Sequence, residues 1–451
     1  MIALKEIRNI YFIGVGGIGM SALARYFNAK GAVVTGYDKT STLLTRTLEA
    51  EGIGIHYEDN IAMAPAAPDV VVYTPAIPAN HAELNYFKDH GFTVVKRSDI
   101  LQWITHNSFN ICVAGTHGKT TVSSMIAHIL RDSGYGCNAF LGGIAANYNS
   151  NFWSHENNVV VVEADEYDRS FLKLSPDIAI ITATDPDHLD IYGTAEEVEN
   201  AFVQFSEKVK TGGCLITKYG LRTEKAFKVP DHCTYDLTNS IANIHTENLV
   251  VENGSYRFDV KNNYWTLHDV VLNMGGLHNI ENVLAAIGVA KYLKIDDAKI
   301  KSAVASFKGV KRRFEYALKT STHTVIDDYA HHPEELNALI SGVRSLFPHT
   351  KLTLVFQPHL FSRTKDQAVG FATSLAKADE LILLPIYPAR ELPIEGIHSE
   401  WLLDQVQIQH KQVLSKENLL SYVSAYKPAL IVMAGAGDID TLVQPIAKLL
   451  G

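Results

Sequence analysis

Twice in this chain an apolar run breaks into a glycine-rich turn and then an amphipathic segment. Ile10-Tyr11-Phe12-Ile13 leads into Gly14-Val15-Gly16-Gly17-Ile18-Gly19 and a helical stretch over about 20–30. Ile111-Cys112-Val113-Ala114 leads into Gly115-Thr116-His117-Gly118-Lys119-Thr120-Thr121, behind which Val122, Met125, Ile126, Ile129 and Leu130 share one helical face. A strand that feeds a glycine turn opening a helix is the repeating unit of parallel α/β sheets, so the chain is restricted to that class. The alternation resumes after Lys311-Arg312-Arg313, with strands expected at 324–326, 352–356, 381–384 and 430–433. Further strands are expected at 33–38, 70–73, 94–95, 159–162 and 178–182.

At roughly 150 residues per domain, 451 residues predict about three domains. The pattern divides them at 1–107, 108–311 and 312–451. The expected architecture is a Rossmann-like N-terminal domain, a central P-loop ATPase-type α/β domain and a C-terminal Rossmann-like α/β domain. A polar stretch over 236–271 with Asn253-Gly254 predicts a small antiparallel patch in the central domain.

Composition removes several function classes. Lys plus Arg is 40 and Asp plus Glu is 49, a net charge of −9, so no basic surplus exists for general nucleic-acid binding. No run of 18 apolar residues is present to insert in a membrane, and the N-terminus lacks the layout of a secretory signal. Cys112, Cys137, Cys214 and Cys233 have no paired spacing, which predicts reduced thiols in a cytoplasmic protein.

The first glycine turn matches G-x-G-x-x-G in its proper setting, with Asp38 at the end of the next strand where an acid commonly takes a ribose hydroxyl. Read alone it fits any nucleotide diphosphate, NAD first among them. The second turn departs from the strict Walker pattern, which requires Gly where Val113 stands. It keeps backbone amides for phosphates, Lys119 for the terminal ones and a hydroxyl for a metal.

Two strand ends add metal-capable groups beside these loops. Four valines run into Glu163-Ala164-Asp165-Glu166-Tyr167-Asp168, and the strand near 178–182 leads to Asp185, Asp187, His188 and Asp190. Ligands gather at the carboxyl edge of parallel sheets, and Glu163 and His188 suit Mg²⁺ or Mn²⁺ beside phosphates. In the last block, Asp327 to Pro333, Phe356 to Thr364 and Gly435 to Asp438 follow the first, second and last of the expected strands, a layout that suits a substrate cleft.

Taken together, Gly14 to Ser21, Tyr73-Thr74-Pro75-Ala76-Ile77-Pro78, Gly115 to Thr121, Glu163 to Asp168, Asp187-His188-Leu189-Asp190, His278-Asn279, Arg312-Arg313-Phe314 and Asp327 to Pro333 resemble the Mur ligase family. These are ATP-dependent, amide-forming enzymes of cell-wall precursor synthesis. The resemblance spans essentially the whole chain and is nearest the alanine-adding branch. It implies UDP-N-acetylmuramate, L-alanine and ATP as substrates, with Mg²⁺ or Mn²⁺. It places the UDP diphosphate, not NAD, on Gly14, Gly16, Gly17 and Gly19 with Asp38. It places ATP on Gly115, Thr116, His117, Gly118, Lys119, Thr120 and Thr121, the metal on Thr120, Glu163 and His188, and adenine on Asn279. Arg312 or Arg313, with Asp328, would close over the nucleotide, and Tyr329, His331 and Arg363 would lie near the amino acid. Lys119, Glu163, His188 and Arg313 would carry catalysis.

Two departures accompany the resemblance. Several sister ligases use a carbamylated lysine after the Asp-His motif, yet no Lys occurs between Lys173 and Lys208. Some relatives carry Arg after Gln-Pro-His, where this chain has Leu360. Three other readings stay open here: a recycling ligase that adds a whole tripeptide, a nicotinamide-dependent dehydrogenase, and a non-enzymatic nucleotide-binding regulator. Monomer and homodimer are both compatible with the sequence.

Overall fold

The computed structural model describes residues 4–106, 108–167, 169–185, 189–252, 254–389 and 391–451. Asp168, Asp187 and His188, singled out in the sequence, and Asn253 lie outside the described residues. The chain forms two compact units, one of 1–247, 260–268 and 281–304, the other of 248–259, 269–280 and 305–451.

The first sheet contains β1 (Asn9–Ile13), β2 (Val33–Tyr37), β3 (Gly54–His56), β4 (Val70–Tyr73) and β5 (Val94–Lys96), in the order β3-β2-β1-β4-β5. All its pairings are parallel. Chain order reverses at β1, so the crevice at the carboxyl ends of β1 and β4 is a topological switch point. Because strand side chains alternate, Ile10 and Phe12 enter one core, while Tyr11 and Ile13 enter another with Leu84 and Phe87. Burial on both faces accounts for continuous apolar runs in place of polar alternation.

The second sheet contains β6 (Phe109–Ala114), β7 (Asn138–Ala145), β8 (Ser150–Trp153), β9 (Val159–Glu163), β10 (Ile178–Ile181), β11 (Cys214–Lys218), β12 (Asp231–Tyr235), β13 (Ile244–Glu252), β14 (Ser255–Asn262) and β15 (Trp265–Leu272). Its order is β15-β14-β13-β12-β11-β10-β6-β9-β7-β8, with β6 parallel to both β9 and β10. The polar stretch thus becomes three edge strands of a large sheet. The β7–β8 hairpin, which the sequence pattern does not predict, is antiparallel.

Asn151 of β8 is buried and donates to the Ile18 carbonyl and to Ser21 Oγ (3.0 Å) on helix Ile18–Ala29. Arg25 of the same helix donates to Asn151 and forms a two-bonded pair with Glu51 at 2.7 and 2.8 Å. The first two sheets are therefore joined by a satisfied buried polar network.

The second unit holds β16 (Glu315–Lys319), β17 (Thr324–Asp328), β18 (Leu352–Phe356), β19 (Glu380–Leu383), β20 (Lys411–Val413) and β21 (Leu430–Ala434), ordered β16-β17-β21-β18-β19-β20. Of these strands, among the described residues, only the edge strand β16 pairs antiparallel. Among the described residues no helix is long and apolar enough to cross a membrane. All four cysteines are free thiols.

Candidate active site

The first glycine loop spends most of its own amides internally. Gly14 and Val15 N–H donate to the Tyr37 carbonyl at 2.7 and 3.0 Å, Gly17 N–H to the Gly14 carbonyl at 3.2 Å, and Gly16 N–H to Asp38 Oδ2 at 2.8 Å. Gly14 needs its φ of +89°, and a Cβ on Gly16 would lie 2.7 Å from Asp38 Oδ2. Asp38 therefore shapes the loop. Helix Ile18–Ala29 starts without a side-chain cap or an acidic residue in its first turn, so the positive end of its dipole is left to an anion.

The second loop closes beneath helix Lys119–Asp132, which also starts without a side-chain cap. Gly118 has φ of +82°, and a Cβ there would stand 2.9 Å from Asn282 Oδ1. Gly115 is pressed against Thr182, whose hydroxyl donates to the His117 carbonyl. Thr116, Thr120 and Thr121 are buried. Lys119 Nζ donates to the Gly115 carbonyl and to Glu166 Oε1, both at 2.7 Å. Burial pushes the Glu166 carboxyl up, and the Lys119 charge opposes that only in part.

Glu163 ends β9. Gly142 N–H donates to Glu163 Oε2 at 3.0 Å, and the Glu163 carboxylate occupies the space a side chain at 142 would need. The first glycine system and the strand end at Glu163 open on one cleft, lined by Gly19, Arg97, Leu101, Phe140, Glu163 and Asp165 among others. Within this unit the structure thus brings the start of the first loop's helix to Glu163. A carboxylate and a threonine hydroxyl are hard oxygen donors, a set that fits Mg²⁺. His188 lies outside the described residues.

In the second unit, Arg312 adopts φ of +60° and donates to the Gly435 carbonyl. Its guanidinium also lies 3.7 Å from both Asp327 and Asp440, and 5.0 Å above the Tyr329 ring. Arg313 is exposed. Asp328 accepts from Phe314 N–H at 2.7 Å and Ala330 N–H at 2.8 Å, so it fixes the turn that carries Tyr329 and His331. Burial raises Asp327 to about 7 and Asp328 to about 6. Asn279 is buried, with its amide donating to the Gly275 carbonyl.

Tyr329 and His331 meet edge to face at 5.2 Å, and His331 meets His359 at 6.1 Å. His359 stacks on Tyr387, and burial, then Arg363 and His331, lower its pKa. Arg363 Nη1 and His359 Nδ1 are buried without a hydrogen-bond partner among the described residues. The unpaired guanidinium nitrogen of Arg363 is a donor that fits an incoming carboxylate. Tyr387 and Glu391 are not marked by the sequence pattern. Glu391 holds the backbone and hydroxyl of Ser362, and no local motif points to it.

Residues 9–108 match the model for the Mur ligase family catalytic domain, 113–290 the Mur ligase middle domain, and 312–439 the Mur ligase glutamate ligase domain. The chain is 48% identical to the UDP-N-acetylmuramate–L-alanine ligase of Cytophaga hutchinsonii, over 99% of this chain and 97% of that one. It is 47% identical to the ligase of the same name from Flavobacterium johnsoniae, over 99% of each. Among solved structures, the UDP-N-acetylmuramate–alanine ligase of Thermotoga maritima superposes with a TM-score of 0.82 at 27% identity, covering 98% of each chain. The chain belongs to the Mur ligase family.

Proposed function

We propose that this protein joins L-alanine to the lactyl carboxylate of UDP-N-acetylmuramate, converting ATP to ADP and phosphate, in cytoplasmic peptidoglycan precursor synthesis. In the first step a carboxylate oxygen attacks the γ-phosphorus of ATP. The bond from that phosphorus to the bridging oxygen breaks, ADP leaves, and an acyl phosphate forms. In the second step the alanine amine attacks the acyl carbon and loses a proton. The tetrahedral adduct collapses with release of inorganic phosphate.

The observation that carries this reading is the cleft shared by Gly19 and Glu163, because carboxylate and γ-phosphate must meet there. The helix start at Ile18 receives the UDP diphosphate. Lys119, aimed across its loop, stabilises the moving phosphoryl group, as does Arg313. Thr120, Glu163 and His188 would hold Mg²⁺, which supplies charge neutralisation at the phosphates. Tyr329, His331 and Arg363 hold the amino acid. We assign 1–107 to the UDP-sugar, 108–311 to ATP and 312–451 to the amino acid. Arg312 is already anchored on its own domain, so Arg313 is the one left for the nucleotide.

The test is ADP release with each substrate omitted in turn, and with L-alanine replaced by the tripeptide that a recycling ligase would take. Release that requires UDP-N-acetylmuramate and L-alanine together supports the assignment. Preference for the tripeptide, or release indifferent to the acceptor, refutes it.

A further inference from the structure

Arg97 opens helix Arg97–Thr105 directly after β5, and its guanidinium lies against Gly19, filling the space a side chain there would need. Across the cleft, Arg97 Nη2 lies 3.5 Å from Asp165 Oδ2. That is long for a guanidinium–carboxylate bond, which closes to about 2.7–2.9 Å when made well. Both side chains remain partly exposed, at 26% and 40%. Arg97 therefore lacks the buried, fully bonded setting that Arg25 has with Glu51 and Asn151. The neighbouring acid Asp99 is paired with Lys173 and makes no claim on Arg97.

We propose that Arg97 grips the lactyl carboxylate of the sugar nucleotide and aims it at the γ-phosphate; this rests on the reaction proposed above. Asp165 then stands where the substrate carboxylate will be, two residues beyond Glu163, and gives up the cation when substrate arrives. The placement favours the carboxylate over the diphosphate. Arg97 shares the cleft with Glu163, and the group that faces it there, Asp165, is itself a carboxylate. The planar fork of arginine takes two oxygens of one anion at once, which an ammonium does not.

Two ligands separate the possibilities. UDP-N-acetylglucosamine shares the uridine, diphosphate and sugar of UDP-N-acetylmuramate but lacks the lactyl carboxylate. By calorimetry, Arg97→Gln weakens UDP-N-acetylmuramate roughly 10- to 100-fold while UDP-N-acetylglucosamine stays within about twofold of wild type. Arg97→Lys, which keeps the charge and loses the fork, recovers only part of that loss and carries the same test if the glutamine variant folds poorly. Equal weakening of both ligands overturns the proposal by placing Arg97 on the diphosphate or uridine. No change in either overturns it by removing Arg97 from the site. If the wild type binds UDP-N-acetylmuramate but L-alanine elicits no ADP, the reaction assignment is what fails.

Discussion

Lys119 Nζ rests 2.7 Å from Glu166 Oε1, and Glu166 is almost wholly buried. The lysine proposed to bind phosphate is therefore held in position before any nucleotide arrives. Replacement of Lys119 by Ala removes the loop's cation and leaves Glu166 without its ion pair. Turnover is expected to fall about 100- to 1,000-fold or more. A steady-state assay at saturating substrates checks this, and a variant with near-normal kcat contradicts the role given to the loop.

Gly142 matters through Glu163. Because the Glu163 carboxylate fills the position of a Cβ at 142, Gly142→Ala must push it aside and disturb the Gly142 N–H bond. Displacing the carboxylate proposed to hold the metal is expected to raise the Mg²⁺ concentration for half-maximal activity about 10- to 100-fold. Titration of activity with Mg²⁺ at fixed ATP measures it.

The adjacent arginines should separate cleanly. Arg312→Ala breaks the contacts to Gly435, Asp327 and Asp440 and leaves Asp327 buried without its cation, at a cost of about 2–4 kcal/mol to the C-terminal domain. Arg313→Ala touches no such network. It is expected to leave the melting temperature unchanged and to lower kcat about 100-fold or more. Melting curves and kinetics on the same two preparations decide it.

Asp327 gives the second unit a pH signature. Its folded-state pKa is raised to about 7 by burial, above the ordinary carboxylate range, with Arg312 opposing. Between about pH 4 and 7 the folded state then holds more protons than the unfolded state. Stability from this group is fully present below that window and is lost as pH rises through it, by at most about 1.4 kcal/mol per pH unit. Asp327→Asn should flatten the decline in melting temperature between about pH 5 and pH 8. A wild-type protein that becomes more stable across that range contradicts the sign.

Both glycine loops and the strands before them are readable from residue order, because a buried parallel strand is a continuous apolar run and a glycine turn follows it at once. The same holds for Glu163, placed directly after four valines. What residue order conceals is the support around these groups. Strand β7 escapes notice because Gly142 and Gly143 lower strand preference, and the reason for Gly142 is a carboxylate 21 positions away. Asn151 reaches the first helix across 133 positions, and Arg97 meets Asp165 across 68. Glu391 is 29 positions from the serine it holds. Asp38 shows the opposite difficulty. Its location fits a ribose contact, yet its carboxylate accepts from Gly16 N–H of the first glycine loop.

In the proposed reaction the carboxylate presented beside Glu163 attacks ATP directly. UDP-N-acetylmuramate labelled with ¹⁸O in both lactyl carboxylate oxygens, turned over with ATP and L-alanine, should deliver one labelled oxygen to each inorganic phosphate released, read by mass spectrometry or by the ³¹P isotope shift. Phosphate carrying no label, with amide product still formed, would contradict the account.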